Sequence, residues 1–447
     1  MNFLDSCRKF IALDSTPNHG TVDITNFAAD LCDKIGISVE TQVERVSGIE
    51  SQNVIGKLDG ESDDQPLILQ THLDTPDPGM FAMWSKTESN PFNASIYGDK
   101  LYGLGAADCK LDFLCKLQAM EKFKGKKLKR SIYLAGTFGK ETGMSGAIKL
   151  IRRNKLKNGC VLVGEPTSLH LVNSCSGLAN VEVNVPFTEE EKAYRKQHDL
   201  MERSSSQSKV FYGKAAHTSH PLLGENAIIN LFEYLSQLPE GIAIMDIDGG
   251  VSFNTIPDSA FLEFDIMGGF RETIVEKFNS ILSSLKEVEK EFDEFPSRGF
   301  EPPIPTMNIG KARTFEDYIQ LVGCCRLPPS VTQSIYEDWM KKIGATCQSV
   351  GATFRITEYK HPFETDESSE LISSLQHTAE RNGLSKELLK SSVCTEANVF
   401  NRLGMSCIVF GPGQGVGNSY GPNEFISIDE LKQATRFYEA FIERYCL

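Results

Sequence analysis

No apolar stretch among the 447 residues approaches a membrane span, which needs about 20 apolar positions in a row. A signal-peptide pattern is missing as well. The start, MNFLDSCRKFIALDSTP, spaces Phe3, Leu4, Cys7, Phe10 and Ile11 as a helix does, with charged residues among them, and predicts an opening helix. Basic charge is in short supply: 46 Lys and Arg against 60 Asp and Glu give a net charge of -14. That excludes the basic face a nucleic-acid partner needs. The 12 cysteines include no C-x-x-C pair and are scattered singly apart from Cys324-Cys325. This argues against a structural zinc site or a secreted disulfide framework and for reduced, buried thiols in a cytoplasmic protein. Repeats of solenoid period are absent too.

A chain of 447 residues is too long for one core and predicts two domains. Its first third alternates helical and strand patterns. A second helix falls around Ile24–Ile35, and apolar strands recur at SQNVIGKL, PLILQTHLD, SIYLAGTF and GCVLVGEPT, with a helix from near Lys110 between the second and third. The pattern predicts an α/β fold, a mostly parallel sheet with helices on both faces. Chemistry in such sheets gathers beyond the carboxyl ends of the strands. Mid-chain, the strands ANVEVNV and SAFLEFDI and the amphipathic helices ENAIINLFEYLSQL and ETIVEKFNSILSSLKEVEKEF predict a smaller α+β domain with an antiparallel sheet. The polar run FTEEEKAYRKQHDLMERSSSQSK, near 187–209, reads as a solvated insertion. From about Asp366 the α/β character returns, with a helix, the strand and loop MSCIVFGPG, and a closing helix from Asp429. The expected division is a discontinuous domain of residues 1–178 plus 366–447, interrupted by a domain of residues 179–365.

Polar residues able to carry chemistry stand at the strand ends. In LILQTHLDTPD, His72 and Asp74 are two apart and share a face. Such a histidine can ligate a metal while the carboxylate orients its ring. The plainer reading of a lone H-x-D is a hydrogen-bonded histidine at a strand end. Asp108 follows a glycine-rich turn in YGLGAADCKLDFL and precedes a helix, where capping is the ordinary role. Glu141 in GKETG and Glu165 in VGEPTS follow the next two strands. One histidine and three carboxylates at successive strand ends make a candidate site for zinc or another divalent metal.

Taken as a set, HLDTP, the segment from NPF to YGLGAADCK, ETGMSGA, GEPTS, GKAAHTSHPLLGENA, CTEANVF, and FGPG followed by PNEFI resemble one family. It is that of the co-catalytic metallohydrolases, which includes acetylornithine deacetylase, succinyl-diaminopimelate desuccinylase and the aminoacylases. The resemblance covers nearly the whole chain, and GEPTS and TEA favour the acetylornithine deacetylase branch. It implies a metallopeptidase domain interrupted by a lid and dimerisation domain, a homodimer, and hydrolysis of an N-acyl amino acid by metal-activated water. By position, Asp108 would bridge two metals, His72 and Glu165 would complete one ligand set, and Glu141 would belong to the other. Asp74 would brace His72, and His217, from the inserted domain, would reach the site of the partner subunit and stabilise the oxyanion.

Two positions depart from that pattern. Lys140 stands where the family has the glutamate that acts as general base. A lysine serves as base only when its pKa is depressed, and carboxylate neighbours do the opposite. The histidine that closes the second metal's ligand set falls on Tyr420 in GVGNSYGPNEF, and no histidine follows His377. A phenolate is an uncommon zinc ligand. Both departures affect the second metal, whose loss would leave crowded, unpaired carboxylates. An ammonium from Lys140 and a hydrogen bond from Tyr420 would then stand in for it. One ion (zinc, or another divalent metal such as cobalt or manganese) would remain on His72, Asp108 and Glu165. Arg326 in GCCRLPPS either grips a substrate carboxylate or forms a surface salt bridge. Glu396 in CTEANVF either faces a substrate amino group or hydrogen-bonds its loop. Two functions stay open: an amidohydrolase with an altered base, and a member without hydrolysis that binds an amino-acid-like ligand or acts as a structural or regulatory partner.

Overall fold

The computed structural model describes residues 2–154, 158–198, 206–238, 241–266 and 273–447. The chain divides into two units, Met1–Cys175 with Phe363–Lys390 and Thr395–Leu447, and Ser176–Pro362 with Ser391–Cys394. In the first unit, the strands Arg130–Thr137, Ser62–His72, Cys160–Gly164 and Ser406–Val409 run parallel, in that order, at the centre of one sheet. Antiparallel strands flank them on both sides, so the sheet is mixed with a parallel middle. One flank is the hairpin of Ser38–Val46 and Ile49–Leu58. Its two turn residues, Ser47 and Gly48, both have positive φ, as a tight two-residue hairpin turn requires.

The continuous apolar runs of the central strands follow from burial on both faces. Leu67, Leu69, Leu134 and Leu162 pack to one side, with the helices Phe3–Ala12, Val22–Lys34, Lys110–Glu121 and Ile428–Cys446. Ile68, Ala135, Val161 and Val163 pack to the other, with Ser145–Asn154 and Ala397–Asn401. The opening helix is capped by Asn2, whose side chain accepts the Asp5 N–H at 2.8 Å. All twelve cysteines are buried thiols. Among the described residues, no helix is long and apolar enough to cross a membrane.

The second unit is built on a seven-stranded antiparallel sheet. Alternate residues of its strands, such as Val183 and Val185 or Ile319 and Leu321, turn to a core shared with the helices Ala227–Leu235, Ile274–Glu289 and Gln333–Ser349. The polar run near 187–209 departs from the solvated reading. Its first part is a helix, Glu189–Gln197, closed by a capping box between Thr188 and Glu191. Glu191 and Arg195 are buried. The charged side chains can go inside because partners receive them: Glu191 accepts the Thr273 hydroxyl at 2.9 Å, and Arg195 donates to the Met245 carbonyl at 3.3 Å and lies over the Phe187 ring. Residues 199–205 of that run lie outside the described part.

Trp339 anchors this core. It is 1% exposed, its ring centroid lies 5.0 Å from that of Phe292 and 5.5 Å from that of Phe295, and its indole N–H donates to Glu291. Trp339→Ala is expected to cost about 3–5 kcal/mol in urea unfolding. A loss under about 1 kcal/mol would show that the core closes without it.

Candidate metal centre

The parallel register sets the level of the site. His72 is paired with Thr137, and Thr71 with Gly164, so the segments bearing Lys140, Glu141 and Glu165 leave the sheet beside His72. Asp108 arrives on the loop before the helix Lys110–Glu121. The cap position there is Cys109, without a side-chain cap, so Asp108 is not spent on capping. That loop is held by Glu424, which accepts the N–H groups of Gly105, Ala107 and Asp108 at 3.2, 2.8 and 3.0 Å.

His72 is fully buried. Its Nδ1 lies 3.0 Å from the Asp74 carbonyl oxygen, which can only accept, so Nδ1 carries a proton and Nε2 is the nitrogen left for a metal. Nε2 stands 3.0 Å from Asp108 Oδ1. The brace from Asp74 thus comes at closest range from its backbone, the carboxylate being 3.7 Å away. That carboxylate accepts the Glu141 N–H at 3.0 Å and so ties the Lys140–Glu141 turn to the histidine strand.

Lys140 projects into the centre of this group. Its ammonium is 3.0 Å from Glu141 Oε1, 3.8 Å from both Asp108 Oδ1 and Glu165 Oε2, and 2.5 Å from the Tyr420 hydroxyl. Tyr420 donates to Glu141 Oε1 at 3.0 Å, which closes a triangle of hydrogen bonds. Burial works against charge on Lys140, but Asp108, Glu141 and Glu165 outweigh it and hold its pKa well above the ordinary lysine value. Burial alone would raise the Asp108 pKa, yet Lys140 and His72 hold it below the usual range. Glu165 is pushed up to about 7, by burial first and then by Asp108 against the pull of Lys140. Burial and Asp108 raise the Tyr420 pKa, which keeps it a phenol and therefore a donor. Its ring is partly exposed, but its hydroxyl end lies inside the carboxylate group. At φ 64° it occupies the left-handed region, an uncommon place for a bulky side chain.

The remaining predicted residues are placed elsewhere. Glu396 is fully buried, where it accepts from Gln70 and, at 2.9 Å, from the Thr137 hydroxyl. Its other oxygen, Oε1, has no hydrogen-bond partner, and His72, Asp74 and Glu165 act on its charge. His217 and Arg326 belong to the second unit. Arg326 is buried, reaches the Thr218 hydroxyl at 3.3 Å, and is paired with no carboxylate among the described residues. The surface salt bridge is therefore not formed. His217 Nδ1 accepts the Ser219 N–H at 3.2 Å, which leaves the proton on Nε2. The sequence reading missed Glu424, Asp112 and Lys116. Only the i, i+4 spacing of Asp112 and Lys116 offered a signal.

Residues 68–444 match the peptidase family M20/M25/M40. The chain belongs to that family. It is 24% identical to acetylornithine deacetylase of Pectobacterium atrosepticum, over 97% of this chain and 94% of the relative. Among solved structures, the aminoacylhistidine dipeptidase of Vibrio alginolyticus shares the fold with a TM-score of 0.66, at 15% identity over 99% of this chain and 96% of that one. The Bacillus subtilis YXEP protein, a dinuclear metal-binding M20 peptidase, matches with a TM-score of 0.51 at 12% identity, over 100% of this chain and 98% of that one. M20 peptidases are metal-dependent.

Glu165 Oε1 is buried without a hydrogen-bond partner, and the Glu165 carboxyl feels the charges of Asp108 and His72. Among the described residues, the donor atoms that all come within 4.8 Å of one another are those of His72, Asp108 and Cys109. The Cys109 thiol, which burial pushes up to about 12, is engaged with the Gly164 carbonyl at 3.1 Å. A second ion between Asp108 and Glu141 would meet the Lys140 ammonium.

Desolvation, with Arg326 and His220 beside it, pushes the His217 imidazole down to about 4. As pH falls from 6.5 toward that value the unfolded chain takes up a proton that the folded chain refuses, so this histidine lowers stability toward acid. NMR titration should show His217 neutral at pH 6, and Arg326→Gln should move its midpoint upward. A wild-type midpoint near the ordinary 6.5 would contradict the environment described.

Proposed function

We propose that the protein is a metal-dependent amidohydrolase that removes the N-acyl group of a small amino-acid-type substrate, using one divalent ion. His72, Asp108 and Glu165 would hold that ion, zinc by their donor set. It would supply Lewis acidity toward the reacting carbonyl. The observation that carries the reading is the Lys140 ammonium among Asp108, Glu141 and Glu165, within 3.8 Å of all three. By resemblance a glutamate is expected there, and a change from -1 to +1 shifts the local charge by two units, the charge of one divalent ion. When ionised, three carboxylates and one ammonium leave two negative charges, which one such ion balances.

In this reading Lys140 is a resident cation and does not accept protons, because its partners hold it charged. The Tyr420 hydroxyl fixes its position. The substrate carboxylate is assigned to Arg326, whose buried guanidinium lacks an acidic partner among the described residues. The neutral His217 keeps an Nε2–H donor for a developing oxyanion, contributed across a homodimer to the site of the partner subunit. The buried thiols support a reducing compartment, the cytoplasm.

Metal analysis and turnover on a panel of N-acyl amino acids test this reading. The wild type should retain one ion per chain and hydrolyse a member of the panel. The Lys140→Glu/Tyr420→His variant should take up a second ion. Two tightly held ions in the wild type would sink the substitution. Turnover only in the double variant would show that the natural chain binds amino-acid ligands without cleaving them.

A further inference from the structure

A buried ion pair lies beneath the strand ends, apart from the contacts of Lys140. Asp112 and Lys116, one turn apart on Lys110–Glu121, are 1% and 0% exposed, with 2.6 Å between Oδ2 and Nζ. Lys116 also donates to the Gln70 carbonyl at 2.6 Å and the Thr71 hydroxyl at 3.0 Å, and reaches the Leu162 carbonyl at 3.4 Å. Its ammonium therefore spans two neighbouring parallel strands, Ser62–His72 and Cys160–Gly164. Asp112 accepts from Thr71 at 2.9 Å and from the Tyr438 hydroxyl at 2.6 Å. A Cβ on Gly164 would come within 2.1 Å of Asp112 Oδ2 and 2.8 Å of Lys116 Nζ. The pair thus touches the residue before His72 and abuts the residue before Glu165. Its helix opens two residues after Asp108.

Stability does not account for such a pair. Desolvating two charges costs about as much as their attraction returns, and a well-packed apolar replacement is often as stable or more so. The geometry points to Asp112 and Lys116 as positioning residues for the metal centre. By joining two strands and the Thr71 hydroxyl in one charge-assisted network, they fix the spacing of His72 and Glu165 before an ion arrives. This role rests on the one-ion reading above and adds to it the device that sets ligand geometry.

The test removes both charges together, in Asp112→Leu/Lys116→Met, and measures the thermal midpoint and the zinc affinity of metal-stripped protein by competition with a chromophoric chelator. The midpoint should stay near or above that of the wild type while zinc affinity falls about 10–100-fold, as it does when groups that orient metal ligands are removed. Tyr438→Phe deletes one hydrogen bond to Asp112 and should weaken zinc in the same direction by a smaller factor. It carries the test if the double variant does not fold. Wild-type zinc affinity in a folded variant, whatever its melting point, overturns the positioning role. A wild-type chain that takes up no zinc overturns the metal reading itself.

Discussion

The centre of this protein is organised by one contact: the Lys140 ammonium held among three carboxylates. At about 4 Å, two unit charges interact by about 4 kcal/mol at an effective dielectric of 20. Each of Asp108, Glu141 and Glu165 lies within that range of Lys140, and without a cation among them the three carboxylates would repel one another. Lys140 supplies that charge permanently, on a side chain whose position Tyr420 fixes from above. A metal ion would supply it only when bound. The difference decides what the site can do, because a resident ammonium neither exchanges nor accepts a proton from water.

Buried polar contacts surround this group of side chains. Each residue next to the site is fixed by a buried polar contact beneath it. Glu424 gathers three amides of the Asp108 loop, and burial pushes its pKa up to about 7. Glu396 takes hydrogen bonds from Gln70 and Thr137, which sit on the strands leading to His72 and Lys140. Asp112 and Lys116 join the strands leading to His72 and Glu165. Burying so many ionisable groups is unfavourable unless each finds its partners. Their concentration under one set of strand ends accords with the proposed reading, in which they position the side chains that would hold an ion.

Much of this was legible in the sequence. PLILQTHLD and GCVLVGEPT read as buried strands because both of their faces are covered, and the polar residues that follow them had to emerge at one edge. The Lys140 and Tyr420 departures were visible as residue types, and the two side chains do meet. Other features could not be read. Ser38–Val46 is mostly polar, and its Val39, Val43 and Val46 are spaced four and three apart, so it gave no sign of a strand at the sheet's edge. Glu191, Arg195 and Glu396 look like surface residues by composition, and only partners from distant segments make their burial tolerable. Asp112 and Lys116, an i, i+4 pair of opposite charge, would ordinarily be a solvated pair on a helix surface. The acceptors that draw Lys116 inward are backbone carbonyls, which no side-chain pattern announces.

The second unit follows the same electrostatic logic with the sign reversed. Arg326 is a buried cation whose hydrogen bond to Thr218 leaves its charge uncompensated among the described residues. The adjacent His217 is pushed toward neutrality by desolvation and by that charge. The first unit has therefore placed a cation among an anionic cluster, whereas the second holds a cation for which the described residues supply no anion. In the proposed reading, the carboxylate of an amino-acid-type substrate would complete that balance. In the one-ion reading proposed above, the charge changes at Lys140 and Tyr420 leave the uncompensated Arg326 cation, and its complementarity to an anionic substrate, untouched.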